Sequence, residues 1–160
     1  MYSTRYILTS VASDPNADPE LRASAIDKLN RMEARNKRYQ AIKDVHTRQF
    51  RERLMEVLRA ANGLPLTTTE IQLLLYSKYR VRLSNQKVSR HLNRMCYDSN
   101  WDASFVWGIE RESNRRDVCF WMLESKCPTA DEINPKWGYD RTFIDWDGIC
   151  GLEAFESFMK

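Results

Sequence analysis

The segment LSNQKVSRHLNRM, residues 83–95, concentrates side chains that can form directional hydrogen bonds with a nucleic acid. It mixes amides and hydroxyls with lysine and arginine, and no aspartate or glutamate occurs between Ser84 and Tyr97. Amide and guanidinium groups can form paired hydrogen bonds with adenine and guanine edges, whereas lysine and the first backbone amides of a helix hold phosphate. Because solvated helices usually mix both signs of charge, this composition favours a nucleic-acid-binding helix over a basic surface helix without a ligand.

The apolar residues of this segment predict which side of the helix is free to bind. Val88, Leu92 and Met95 are spaced i, i+4 and i+7, so they share the face that meets the core. His91 lies at the margin of that face. The opposite face then carries four polar side chains: Gln86, Lys87, Arg90 and Arg94.

Residues suited to catalysis are sparse elsewhere in the chain. There are two histidines, and the phosphate-loop, nucleophile-elbow and zinc-protease motifs are missing from the sequence. Asp145 and Asp147 form a D-W-D pair that could hold a metal in principle, but two acids without further ligands are common on surfaces. We therefore expect that the protein is not an enzyme and uses no cofactor.

The four cysteines are scattered and have no paired C-x-x-C spacing. This pattern indicates neither a disulfide framework nor a zinc module, so we expect buried thiols and no bound metal. The weaker alternative is a zinc site that draws on one histidine and three of the thiols, namely His91, Cys96, Cys119 and Cys127.

Charge is distributed unevenly along a chain whose net charge is only +3. Residues 48–97 carry 10 lysines and arginines against 3 acids, whereas residues 128–160 carry 3 against 7. A clustered positive field attracts polyanions, which makes double-stranded DNA the expected partner. No apolar run reaches bilayer length and no signal peptide is recognisable, so we expect no membrane partner and a cytoplasmic, nucleoid-associated location.

The first third of the chain has helical spacing. Asp18 can cap a helix that begins at Pro19 and keeps an imperfect apolar face as far as Val45. A shorter helix, from Thr4 to Ala12, can fold back on it. Residues 1–46 are therefore predicted to form a helical extension that mediates homodimerisation, the preferred interpretation, or that pads the core.

Residues 47–125 are predicted to form the main domain. Apolar residues at helical spacing give a first helix that Asn62-Gly63 ends, and LPL gives a short extended piece. Thr67 and Glu70 form a capping box for a second helix, and Ser84 can cap the third. Apolar residues then alternate with other residues on each side of a polar turn in the run ASFVWGIERESNRRDVCFWML. This pattern predicts a β-hairpin, whose tip carries three arginines.

This order of elements resembles the winged helix-turn-helix superfamily of DNA-binding domains. The resemblance covers residues 48–123 and depends on TTTEIQLLLYSKYRVRLSNQKVSRHLNRM with the hairpin after it, and LSNQKVSRHL is similar to the serine-capped recognition helices of that superfamily. It implies a helix in the major groove and wing arginines on phosphate or in the minor groove. The DNA-binding residues so implied are Ser84, Asn85, Gln86, Lys87, Ser89, Arg90, Arg94, Arg111, Arg115 and Arg116.

Two features depart from the superfamily pattern. The turn between the second and third helices lacks the glycine often found there, and the wing is longer and richer in tryptophan than that of a minimal domain. Because of these two departures, the resemblance does not determine the angle between the third helix and the rest of the domain. Some members of the superfamily bind proteins instead of DNA, so the fold alone does not determine function.

Residues 126–160 form an acidic segment that contains too many aromatic side chains for a merely solvating tail. Leu152, Phe155 and Phe158 or Met159 suggest a short terminal helix. The preferred interpretation is that this segment covers a hydrophobic flank of the domain. The alternative is an acidic docking surface for a protein partner.

These features predict a mainly α protein with a small β-hairpin, organised as a winged helix-turn-helix with a helical N-terminal extension and an acidic, aromatic C-terminal segment. The expected function is that of a DNA-binding transcriptional regulator that uses the helix 84–97 and the basic wing 111–116. Two alternatives stay open: a replication, partition or DNA-packaging factor that marks a site, and a protein-interaction module for an acidic partner. The composition fits a bacterial, phage or plasmid origin.

Overall fold

The computed structural model describes residues 2–110, 115–134, 138–141 and 160. It confirms a mainly helical chain with a small β region. The chain divides into two compact units, Met1–Arg48 and Gln49–Lys160, called the N-terminal and C-terminal units below. Within the described residues, no helix is both long enough and apolar enough to cross a membrane. The helices are Thr4–Ser13 (α1), Pro19–Ala61 (α2), Thr68–Tyr79 (α3) and Asn85–Cys96 (α4), and the strands are Ser104–Glu110 (β1), Arg115–Met122 (β2) and Tyr139–Arg141 (β3).

Helix α2 is longer than the sequence pattern indicated. The pattern suggested one helix that keeps its apolar face to Val45 and another that begins near Thr47, but the structure has a single 43-residue helix. Residues 20–61 contain neither glycine nor proline, so no residue type in this stretch breaks the backbone hydrogen bonding of a helix. Asp18 caps its start as expected, because the carboxylate accepts from the backbone N–H of Glu20 at 2.9 Å.

The N-terminal unit buries little of its apolar surface. Ala25 is buried, and side chains of α1 and α2 line a common cavity of about 190 Å³. Residues 33–46 of α2 are all exposed. They include three large apolar side chains spaced three residues apart, Tyr39, Ile42 and Val45, whose residues are 67%, 58% and 56% exposed.

The main core of the C-terminal unit lies between the end of α2, the helices α3 and α4, and one face of the sheet. Helix α3 begins with the predicted capping box, in which the Thr67 N–H donates to Glu70 at 2.7 Å and the Glu70 N–H donates to Thr67 at 3.3 Å. It ends at Arg80, which adopts a left-handed conformation with φ 56°. Arg80 therefore adopts the left-handed conformation that a glycine commonly supplies at the end of a helix, and the turn between α3 and α4 forms without a glycine.

Trp121 joins the sheet to the helices. Its backbone exchanges two hydrogen bonds with Leu66, of 2.9 and 2.7 Å, so the extended piece before α3 pairs with β2. Its indole N–H donates to the Thr68 hydroxyl at 2.9 Å. Trp121 is only 4% exposed. These contacts hold β2 beside the first residues of α3.

In the part of the chain that the structure describes, the sheet has three strands in the order β2-β1-β3, one more than the predicted hairpin. β1 and β2 pair antiparallel as expected, and the hairpin tip, residues 111–114, lies outside the described residues. β3 pairs parallel with β1. Gly108 permits this close pairing, because a Cβ added there would lie 1.8 Å from the carbonyl oxygen of Tyr139.

The described part of the C-terminal segment covers the second face of the sheet. Cys127, Ile133 and Tyr139 pack against a cluster that contains Val106 and Phe120. The predicted terminal helix, with Leu152, Phe155 and Phe158 or Met159, lies outside the described residues.

Arg141 of β3 forms the centre of a buried ion cluster. Its guanidinium donates to both carboxylate oxygens of Glu70 at 2.9 Å, to Glu110 of β1, and to the carbonyl oxygen of Pro65 at 2.7 Å. Arg141, Glu110 and Glu70 are 4%, 3% and 9% exposed. Since removal of one member of a buried ion pair leaves an uncompensated charge, the cluster ties the C-terminal strand firmly to α3 and β1.

We expect Arg141→Met to lower the free energy of unfolding by about 3–5 kcal/mol, because it leaves two carboxylates buried without their cation. Chemical denaturation of the full chain measures the loss. The double variant Arg141→Met/Glu110→Gln should recover part of it, and Arg59→Met, which removes an exposed arginine of α2, should change stability little. Equal stability of Arg141→Met and the parent would contradict this role.

Candidate nucleic-acid interface

Helix α4 presents its two faces as the apolar spacing predicted. Val88, Leu92 and Met95 are fully buried in the main core. Ser89 and His91 are half-buried at the margins of the inner face. The exposed side chains of α4 are amides and cations only: Asn85, Gln86, Lys87, Arg90, Asn93 and Arg94.

The start of α4 is held by side chains of the preceding turn and of α3. The Ser84 hydroxyl accepts from the Lys87 N–H at 3.4 Å, which makes it the N-cap. The Gln72 amide donates to the carbonyl oxygen of Leu83, and the Asn85 amide donates to the Thr69 hydroxyl at 3.3 Å. These bonds fix the first turn of α4 against α3, so its side chains project from a rigid base.

A groove separates α4 from the sheet and gathers polar side chains from four elements. One part, of about 420 Å³, is lined by the first residues of α3 and α4, by β1 and by β2. An adjoining part, of about 320 Å³, lies further along α4. Both parts are lined by the same four residues, so we treat them as one α4 groove. These are Gln86, Ser89, Trp107 and Cys119.

The structure brings most of the sequence-predicted site residues to this groove. Ser84 is engaged as a cap, Lys87 and Arg94 are exposed on α4 away from the groove lining, and Arg111 lies outside the described residues. The predicted residues that line the groove are Asn85, Gln86, Ser89, Arg90, Arg115 and Arg116.

A β-bulge lies where the arginines of β2 meet the groove. The pairing register shifts between Gly108 and Glu110, so that Arg116 and Asp117 together stand opposite Ile109. Asp117 is left-handed, with φ 56°. A bulge bends the strand and changes the direction of the neighbouring side chains. Among the described residues, Asp117 is the one carboxylate of the groove lining.

Trp107 is one of the groove residues that the sequence interpretation did not select. It is 57% exposed, and its ring meets that of Phe105 edge-to-face at 6.3 Å. The alternation of residues 105, 107 and 109 marked a strand but did not show which face is covered. The tryptophan-rich wing was the available signal, since tryptophan at an exposed strand position is uncommon.

His91 is packed among cations on a margin of α4 that does not line the groove. Its ring lies edge-on to Phe50 at 4.9 Å, and its buried Nδ1 has no hydrogen-bond partner among the described residues. Burial lowers the pKa of His91, and the nearby guanidinium groups of Arg51, Arg94 and Arg90 lower it further. The imidazole is therefore neutral at neutral pH.

Two thiols of the C-terminal unit have raised pKa values. Burial raises the pKa of Cys96 to about 12 and that of Cys119 to about 11, so both stay protonated at neutral pH. Among the described residues, no group of three or more histidine, cysteine or acidic side chains could hold a metal ion. Asp145, Asp147 and Cys150 lie outside them.

Comparison of the chain with models of protein families, with curated proteins and with solved structures found no match.

The lowered pKa of His91 predicts that the protein loses stability on mild acidification. The unfolded chain takes up a proton on this imidazole near pH 6.5, whereas the folded chain takes it up only at lower pH, so the free energy of unfolding falls as pH drops below about 6.5. Denaturation between pH 7.5 and 5.5 measures this slope. His91→Gln should flatten it, and His46→Gln, at an exposed position of α2, should keep the slope of the parent. A His91→Gln profile identical to the parent's would contradict the prediction.

Proposed function

We propose that the C-terminal unit is a winged helix-turn-helix domain that binds double-stranded DNA and that the protein is a transcriptional regulator. The observation that carries this proposal is the lining of the α4 groove. Amides of α4 and arginines of β2, which lie about 30 residues apart in sequence, line the same cavity. A ligand in this groove meets hydrogen-bonding groups for base edges and cations for phosphate together.

The order of elements supports the winged-helix assignment. The end of α2, an extended piece, α3, a turn, α4 and two antiparallel strands follow one another in the C-terminal unit. The extended piece pairs with β2 through Leu66 and Trp121, so it serves as the short strand of that order. The left-handed Arg80 supplies the turn between α3 and α4 without a glycine.

The chemistry of α4 suits readout in the major groove, which is wide enough to admit a helix. Arg90 can donate two hydrogen bonds to guanine, and Gln86 can exchange two with adenine. Both lie on the exposed face and line the groove. Lys87, Arg115 and Arg116 would then approach phosphates, which supply most of the affinity but no sequence information.

The placement of nearby carboxylates also supports an anionic ligand. Glu70 and Glu110 belong to α3 and β1, which flank the groove, but both are buried and paired with Arg141. Asp117 is accompanied in the groove lining by Arg115 and Arg116. The surface offered to the ligand therefore keeps an excess of cations.

The N-terminal unit supports a second part of the proposal, self-association. The exposed Tyr39, Ile42 and Val45 give residues 33–46 of α2 an apolar side that a helix in water would not keep uncovered. We infer that a second copy of the chain covers it. A homodimer would present two α4 helices to two half-sites, in the manner of DNA-binding regulators.

We expect the full chain to bind duplex DNA with an affinity that falls steeply with salt, because each phosphate contact releases counterions. On a duplex selected from a random pool, Arg90→Ala and Gln86→Ala should each cost about 1–3 kcal/mol, and less on random duplex. Arg116→Ala should weaken both duplexes by similar factors and lower the log-log salt slope by about 0.9. Gel-shift titration at several salt concentrations measures all three effects.

The matched control is Arg59→Ala, which removes an exposed arginine from α2 outside the groove lining and should leave both affinities unchanged. If both α4 variants keep their discrimination between duplexes and their melting temperatures, α4 does not read the sequence. If no duplex is bound even at low salt, the proposed function is wrong.

Light scattering of the full chain should show a dimer that dissociates on dilution. Ile42→Glu should shift it to monomer, because it places a charge in the apolar contact between copies. Gln40→Glu adds the same charge on the opposite side of α2 and should leave the dimer intact. A parent chain that is monomeric at every concentration would exclude self-association.

A further inference from the structure

Trp107 remains exposed in a groove whose other large aromatic residues are covered. Trp121 is buried and Phe105 is half-buried, although both stand on the same face of the sheet as Trp107. Across the strand pair, Trp107 stands opposite Cys119, a small side chain that leaves the indole uncovered. More than half of the surface of Trp107 is therefore available to a ligand in the α4 groove.

The two parts of the groove meet at Trp107 and differ in their chemistry. The larger part is lined by threonine hydroxyls at the start of α3 and by Arg115, Arg116 and Asp117, so its described cations outnumber its carboxylates and it is suited to a phosphate. The smaller part has Phe105 and Trp121 in its wall together with polar groups of α4. Its volume of about 320 Å³ lies within the range of small-ligand sites.

An aromatic ring, polar side chains and arginines together can bind a single nucleotide. An aromatic ring stacks on the face of a base, and amides and guanidinium groups bond its edge. Gln86, Arg90 and Asn93 offer such donors and acceptors in the smaller part of the groove. Arginine beside the ring holds the phosphate of the same nucleotide.

A base inside a duplex cannot use this site, because its two faces are covered by the neighbouring base pairs. Only a base that has left the stack, or one in a single strand, can lie against an indole. We propose that the α4 groove binds an unpaired DNA nucleotide, with its base stacked on Trp107 and its phosphate beside Arg115 and Arg116. This inference depends on the proposed DNA binding and adds a preference for locally opened DNA.

Three labelled DNAs test the preference with the full chain: a paired duplex, the same duplex with one unpaired base, and a single strand of equal length. The duplex with the unpaired base should bind about 5- to 150-fold more tightly than the paired one, which is the range expected for stacking of one base. Trp107→Leu should abolish this advantage, because leucine keeps an apolar side chain without an aromatic face. Trp107→Phe should keep most of it.

Tyr97→Leu is the matched control, since Tyr97 is an exposed aromatic residue next to α4 that does not line the groove. It should leave the preference unchanged. A melting curve for each variant verifies the fold, and the comparison of paired with unpaired DNA for the parent chain tests the preference even if Trp107→Leu fails to fold.

A fluorescent base reports the contact itself. 2-Aminopurine at the unpaired position should lose fluorescence when the parent or Trp107→Phe binds, and should stay bright with Trp107→Leu. Equal affinity for paired and unpaired DNA that does not respond to Trp107→Leu would overturn the stacking site and leave the proposed duplex binding intact. If none of the three DNAs is bound, both the stacking site and the proposed DNA binding are wrong.

Discussion

The paired backbone contact between Leu66 and Trp121 is the constraint on which the rest of the C-terminal unit depends. Its two hydrogen bonds join the extended piece before α3 to the second strand of the sheet, and the indole N–H adds a third bond to Thr68. Because α4 follows α3 through a turn fixed by Gln72 and Arg80, the sheet is also placed beside the first turn of α4. The α4 groove is therefore built by regular elements held rigidly together.

The same framework explains how two carboxylates of the C-terminal unit coexist with a basic surface. Arg141 brings the C-terminal strand to β1 by pairing with Glu70 and Glu110, so two carboxylates of the domain are neutralised in its interior. Glu70 also completes the capping box of α3, which links the start of that helix to the third strand. The cations of α4, in contrast, are pushed outward because its other face is fully buried. The fold therefore buries these two carboxylates and leaves the cations of α4 on the surface, although acidic and basic residues are interspersed in the sequence.

Local signals in the sequence predicted most of the helical framework and the outer face of α4. Capping residues such as Asp18, Thr67 and Ser84 act as expected, because a cap involves only residues within one turn of each other. The third strand and its ion cluster were missed, because they join residues up to 76 positions apart that no periodicity marks. Gly108 was a faint signal for that close pairing. The exposure of Trp107 also required the fold, since alternation alone does not show which face of a strand is covered.

The account rests on the claim that the exposed face of α4 and the arginines of β2 form one DNA-binding surface. Backbone amide NMR spectra of the full chain, recorded during addition of a duplex, would locate that surface residue by residue. The account predicts that the largest shifts occur in residues 84–94 and 115–119 and that they weaken together as salt is raised. Shifts confined to residues 19–48, or spectra that do not change at low salt, would contradict it.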